Sequence, residues 1–222
     1  MSAVPLRAML RPGAFGRLWR DPRLVSLVAT IALFAGMSAA GGAMYDGFLR
    51  PQVFLNLFID NGFLLIVAVG MTFVILTGGI DLSVGAVVAF STVLLASLVQ
   101  HHGWHPLPAM ALVLALGTGF GALMGVMIQR YRLQPFVVTL AGMFLARGAA
   151  NLVSVESIGI DHPFHVAVAS LRIPLGGGAA LSAGALIALL VVAAGALLAG
   201  MTRFGRGVYA VGGNAHSARL MG

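Results

Sequence analysis

The chain has 222 residues, of which only 9% are charged and 59% are apolar, and its mean hydropathy is +1.00. Soluble domains carry roughly 25% charged residues, so this composition excludes a polar-coated globule and places the chain in a bilayer. The 13 basic residues are all arginine, against 6 acids and a formal charge of +7; in a membrane protein that excess is read loop by loop, and no nucleic-acid partner is expected.

In chain order, residues 1–23 form an arginine-rich segment holding Arg7, Arg11, Arg17, Arg20 and Arg23. Residues 24–43, 82–100, 107–129, 133–154 and 181–202 each meet the roughly 20-residue requirement for a helix crossing hydrocarbon. A slightly shorter span covers 63–80 and reaches back to Phe54 if the preceding apolar residues join it. Ser38, Ala39 and Ala40 resemble a signal cleavage site, but the first run is too long for an h-region and a hydrophobic hairpin follows, so an anchor is preferred.

Short arginine-rich loops stay cytoplasmic. Arg130 and Arg132 follow the fourth span, Arg203, Arg206 and Arg219 follow the sixth, and only Arg50 and Arg172 fall on the other side. The expected fold is an all-α polytopic membrane protein of about six transmembrane helices with a cytoplasmic N-terminus. Its divisions are an N-terminal segment 1–23, a transmembrane domain 24–202 and a cytoplasmic segment 203–222. Residues 101–106 and 155–175 then face outward, and Gly176, Gly177 and Gly178 read as a flexible approach to the sixth span. Gly117, Gly119, Gly121 and Gly125 read as small-residue helix packing. His101, His102 and His105 beside Trp104 read as a polar interfacial loop; with no carboxylate nearby and no cysteine in the chain, no metal or other cofactor is expected.

The most informative stretch is TFVILTGGIDLSVGAVVAF, residues 72–90, where Gly78 and Gly79 interrupt an apolar run and Asp81 stands before the next. Two readings stand. Asp81 caps the following helix, accepting from the backbone N–H of Ser83 or Val84 and complementing the helix dipole. Alternatively Gly78, Gly79, Asp81 and Ser83 line a wet path, where a broken membrane helix is tolerated and its peptide groups serve a polar solute. A carboxylate at the bilayer centre costs roughly 2.5–3.5 kcal/mol and a cap returns only about 0.5–2 kcal/mol, so depth decides whether capping suffices.

Arg147 lies about seven residues inside the outer end of the fifth span, roughly 10 Å deep, and Asp60 is expected at similar depth. Either the two pair, or Arg147 snorkels outward. Asn61 and Asn151 nearby are candidates for hydrogen bonds to the hydroxyls of a polar solute or for interhelical hydrogen bonds. Enzyme readings fare poorly: Asp46 and Asp81 fall near opposite membrane faces, too far apart to share a proton, and Ser83 lacks a nucleophile-elbow setting.

GGIDLSVG at 78–85, within MTFVILTGGIDLSVG at 71–85, resembles the signature of bacterial ABC-importer permeases for ribose, arabinose, xylose and related sugars. LQPFVVTLAGMFLARG at 133–148, VSVESIGIDHP at 153–163 and TRFGRGVYAVGGNAHSARLMG at 202–222 extend the resemblance over most of the chain. The outer-loop SVESIGIDHP and the terminal GGNAHSARLMG are similar to the galactofuranose-importing branch. The resemblance implies a permease in the bacterial inner membrane, a homologous second permease subunit, a cytoplasmic ATP-binding subunit and a periplasmic sugar-binding protein. It also implies that Arg203, Gly205, Arg206, Gly213 and Asn214 couple to the ATPase; Asn214 is by its own chemistry a good N-cap for a short helix from Ala215 to Leu220. The absence of any G-x-x-x-x-G-K-[ST] loop agrees that energy comes from another chain. The family continues through further helices beyond Thr202, so a sequence ending at Gly222 looks truncated, and 222 residues alone are not expected to transport. A proton-coupled secondary transporter or a channel built on the broken helix is the alternative.

Overall fold

A computed structural model describes residues 22–220, and the arginines of the N-terminal segment lie outside the residues whose side chains it describes. The described helices are α1 (Pro22–Met44), α2 (Pro51–Asp60), α3 (Gly62–Leu76), α4 (Val84–Gln100), α5 (Pro106–Tyr131), α6 (Pro135–Val153), α7 (Pro163–Ser170), α8 (Ala183–Met201) and α9 (Arg203–Leu220). Strands β1 (Arg172–Gly176) and β2 (Ala179–Ser182) lie between α7 and α8. The chain divides between Phe54 and Leu55 into two compact units.

In the first unit, α1 is apolar along its length and leaves Leu33 66% and Met37 67% exposed, as a lipid-facing helix does. Gly47, at φ 81°, helps turn the chain after it.

In the second unit two helix groups are built. α4 packs against α6 and α5, and α3 packs against α8, with α9 laid on both α8 and α3. The buried residues are small: Ala109 and Ala188 are fully buried, Ala185 and Ser83 are at 1%, and Leu114 and Leu152 stay outside at 70% and 91%. Lipid solvates leucine as well as another helix does, so association rests on close backbone approach through small side chains. A Cβ on Gly195 would strike Val69 across the α8–α3 contact, and one on Gly142 would strike Met124 across α6–α5.

Four described helices, α1, α5, α6 and α8, are long and apolar enough to cross a membrane, and the bent pair α2 and α3 makes a fifth. The expected span 63–80 ends as a helix at Leu76, and its extension back to Phe54 is a second helix, the two bent by 58° with Asn61 between them. The expected span 82–100 is the 17-residue α4, starting two residues late because Leu82 and Ser83 are spent on the turn that Asp81 closes. At about 1.5 Å per residue it covers roughly 26 Å, and the non-helical stretch before it adds reach.

The all-helical expectation needs one correction: residues 172–182 form a β-hairpin. Gly177 and Gly178 sit at φ 62° and 78° between the strands, the paired left-handed geometry of a type I′ turn. The triple glycine is therefore a hairpin turn rather than a slack linker.

Candidate translocation site

Helix α3 stops for a local reason. Gly78 adopts φ 76°, its N–H donates to the carbonyl of Ile75 at 2.9 Å, and the Gly79 N–H donates to that of Val74 at 3.0 Å. This pair of bonds is a Schellman motif, which requires a left-handed residue just past the helix and so favours glycine. The Thr77 hydroxyl adds a third donor, to Val74, at 2.8 Å. Two of the carbonyls that a broken helix exposes are thus satisfied at once.

The next helix starts by an equally local device. Oδ1 of Asp81 accepts from the Ser83 backbone N–H at 2.8 Å and from the Ser83 hydroxyl at 2.6 Å. Ser83, 1% exposed, is the residue from which α4 begins, and its carbonyl accepts from the Val87 N–H at 2.9 Å. The aspartate therefore caps, as its position allowed, but two residues upstream of the formal cap. Oδ2 has no hydrogen-bond partner among the described residues.

The break lies near one end of its helix group. The Ile80 carbonyl accepts from the Thr139 hydroxyl of α6 at 3.4 Å, and the same hydroxyl donates to Pro135, the first residue of α6, at 2.8 Å. Thr139 lies one turn into α6, about 6 Å along its axis, at the end marked by Arg130 and Arg132. A carboxylate at a helix end, away from the mid-bilayer, bears a smaller penalty, so this placement favours the capping reading.

Asp81 and Ser83 line a cleft of about 320 Å³. Its other walls are Ile66, Val67, Gly70, Met71 and Val74 of α3, Val84, Val87 and Val88 of α4, and Gly117, Phe120, Gly121 and Met124 of α5. The wall is apolar except at the break. Gly78 and Gly79 shape that end without lining it. Here the packing expectation for the α5 glycines is corrected: a Cβ at Gly117, Gly119, Gly121 or Gly125 would meet nothing within 4 Å. The α5–α6 approach is made at Gly142 instead, and Gly117 and Gly121 are left to open the cleft.

The outer candidates are not gathered there. Asp60, Asn61, Arg147 and Asn151 are all exposed and none lines the cleft. The Asn61 amide donates back to the Leu57 carbonyl at 2.9 Å, and no ion pair joins Asp60 to Arg147 among the described residues. The reason is the packing: α6 belongs with α4 and α5, whereas α3, which follows Asp60, belongs with α8.

The segment after α8 is folded rather than loose. The Thr202 hydroxyl donates to the Leu198 carbonyl at 2.6 Å and accepts from the Gly205 N–H at 3.1 Å, so one side chain closes α8 and opens α9. Gly205 is buried against the last turn of α8, where a Cβ would strike the carbonyls of Leu198 and Ala199. Arg203, Arg206, Gly213 and Asn214 are exposed. Asn214 breaks α9 with φ −163° and ψ 102°, and its Oδ1 accepts from the Ser217 N–H at 2.9 Å. The cap expected of it is present.

On the outer side, Gln100 and Asp161 exchange two hydrogen bonds, at 3.0 and 3.3 Å, tying the 155–163 loop to the end of α4. His105 and His162 each accept, through Nδ1, from the N–H two residues on and so cap α5 and α7, and their rings meet edge to face at 5.3 Å. Among the described residues no group of three or more metal-ligating side chains is assembled.

Residues 53–222 match the protein family described as the branched-chain amino acid transport system / permease component. The chain belongs to that family. It is 50% identical over 200 residues to the inner membrane ABC transporter permease protein YjfF of Escherichia coli (strain K12), covering 90% of this chain and 60% of that protein. It is 38% identical to the fructose import permease protein FruG of Bifidobacterium longum (strain NCC 2705), covering 91% and 61% of the two chains. To the ribose import permease protein RbsC of Escherichia coli (strain K12) it is 35% identical, covering 94% and 63%. The chain thus spans about three fifths of the length of these relatives. No solved structure matches. Family membership and the four to five apolar spans among the described residues mark the chain as a multi-pass membrane protein.

One residue of the candidate site escaped the sequence reading. Thr139 was one more polar residue in an apolar span, and only its register one turn from Pro135 hinted at a helix-end contact.

Proposed function

We propose that the chain supplies the membrane subunit of an ATP-driven importer that moves a monosaccharide into the bacterial cell, with galactofuranose as its cargo. The observation that carries this reading is the cleft whose polar end is Asp81 and Ser83, positioned by the Gly78–Gly79 helix stop. Its walls are otherwise apolar, which suits weak, transient contact with a sugar; affinity is then left to a separate periplasmic sugar-binding protein. A second permease subunit completes the path. The exposed face of α9, with Arg203, Arg206, Gly213 and Asn214 held in place by Gly205, meets the cytoplasmic ATP-binding subunit.

The furanose preference rests on the outer-loop and terminal segments that resemble the galactofuranose branch. It is supported by relatives named for fructose and ribose import, since both sugars have five-membered ring forms. The test is uptake of labelled galactose, ribose and fructose by the full-length permease with its ATP-binding and sugar-binding partners. ATP-dependent uptake of the galactofuranose form is expected. Uptake of pyranoses alone overturns the furanose assignment, and uptake driven by a proton gradient without ATP overturns the importer.

A further inference from the structure

We infer that Gly212 is a positioning residue through which movement of α9 reaches the helix break, an inference that rests on the coupling role proposed above for α9. A Cβ built on Gly212 would strike the carbonyl oxygen of Leu76, with the Cα of Thr77 3.6 Å away. The obstacle is main chain, so no rotamer change relieves it. Leu76 is the last residue of α3, and its carbonyl is one of those a helix end leaves unpaired. The Schellman bonds serve Val74 and Ile75; the Leu76 carbonyl instead faces the glycine Cα, a geometry suited to a weak Cα–H···O contact.

α9 holds α3 at a second point, where the Phe204 and Phe73 rings lie 5.7 Å apart. The far side of the break is fixed to the other helix group, through Thr139 to Ile80 and through Ser83 to Asp81. Between these anchors lie the non-helical residues 77–83, with Gly78 at φ 76°. A push on α9 therefore shifts the end of α3 relative to α4 and α6, and the break absorbs the difference. Asn214 kinks α9 two residues beyond the contact, so the face offered to the ATP-binding subunit adjoins the fulcrum.

These 222 residues contain no cysteine, so Ile80→Cys, at a residue 53% exposed, gives a thiol reporter on the break, read against the same importer without the substitution. In the assembled importer its alkylation rate should change several-fold between nucleotide-free and ATP-bound, hydrolysis-arrested states. Gly212→Ala should abolish that change and sugar uptake while assembly and ATP hydrolysis persist. Gly207→Ala, on the same helix with nothing within 4 Å of its Cβ, should leave all of these as they are. Should Gly212→Ala fail to assemble, Phe204→Ala, which removes the second contact from an exposed position, should reduce the change. A nucleotide response that survives both Gly212→Ala and Phe204→Ala overturns the role of this contact and leaves the coupling reading standing. No response in the Ile80→Cys parent, with transport intact, overturns the movement of the break; intact assembly and uptake after the α9 face is lost would overturn the coupling reading.

Discussion

Asp81 and Ser83 close a ring in which one carboxylate oxygen takes both the backbone N–H and the hydroxyl of the serine, at 2.8 and 2.6 Å. The aspartate therefore has structural work independent of any solute, and the two roles are separable by substitution. Asparagine keeps an acceptor for the turn and removes the charge; alanine removes both. Asp81→Ala should lower stability by roughly 1–2 kcal/mol, the value of a charged cap. Asp81→Asn should cost a fraction of that. If the charge serves the path, Asp81→Asn loses uptake at near-normal unfolding temperature in detergent; equal losses of stability and uptake in both variants would reduce the residue to a cap.

Gly78 and Gly79 should differ although they are adjacent. Gly78 occupies φ 76° with open space around its Cβ position, whereas Gly79 has an ordinary φ but a Cβ on it would lie 3.2 Å from the Val74 carbonyl and side chain. Gly78→Ala should cost about 1–2 kcal/mol through left-handed strain, and Gly78→Asn less, because asparagine tolerates that region. Gly79→Ala should be milder than Gly78→Ala, since only a few tenths of an ångström must be found. Thermal unfolding of the three variants side by side checks the order.

The cleft yields a steric prediction. Gly121 and Gly117 line it with nothing within 4 Å of a Cβ, so Gly121→Leu should fold and gain up to about 1 kcal/mol of helix propensity while obstructing passage. Uptake should fall with assembly unchanged. Gly142→Ala, which meets Met124 at the α5–α6 contact, should instead destabilise the protein. Measured uptake per assembled permease distinguishes the two.

These glycines also show how far the sequence could be read. The break at 78–81 was legible because glycine pairs and a lone aspartate act through local hydrogen bonds, which spacing reveals. The Asn214 cap was legible for the same reason. Which face of α5 meets a neighbour was not, because Gly117, Gly121 and Gly125 fit a packing stripe as well as they fit a cleft wall, and only the tertiary arrangement separates the two. The 58° bend at Asn61 and the hairpin at Gly177–Gly178 were hidden in another way: continuous hydrophobicity reads as one span, and a glycine run reads as slack. The pairing sought between Asp60 and Arg147 failed because depth along a span says nothing about which helices adjoin.

On the outer side, His162 both caps α7 and meets the His105 ring edge to face. His162→Ala should cost about 1 kcal/mol for the cap, with a further contribution of roughly 0.5–1.5 kcal/mol for the ring contact. His162→Asn should recover the first and not the second. Because Gln100 and Asp161 tie down the same loop, loss of both ties should be needed to free it. Limited proteolysis within 155–163 should therefore be slow in either single variant and fast in His162→Ala with Gln100→Ala; rapid cleavage in a single variant would show that the ties do not share the load.

Asn214 supplies the last separation of structure from function. Its backbone is extended and its side chain caps 215–220 by accepting from Ser217. Asp and Ser at this position satisfy the same N–H, whereas Ala does not, at a cost of about 0.5–2 kcal/mol. If the short helix is what the ATP-binding subunit grips, Asn214→Asp should retain coupled ATP hydrolysis and Asn214→Ala should lose it in proportion to the helix. A helix this short is marginal without its cap, so the effect should be steep: binding of the isolated ATP-binding subunit to the detergent-solubilised permease should weaken for Ala and hold for Asp and Ser. Equal weakening in all three would mean that the asparagine amide itself, and not the helix it starts, makes the contact.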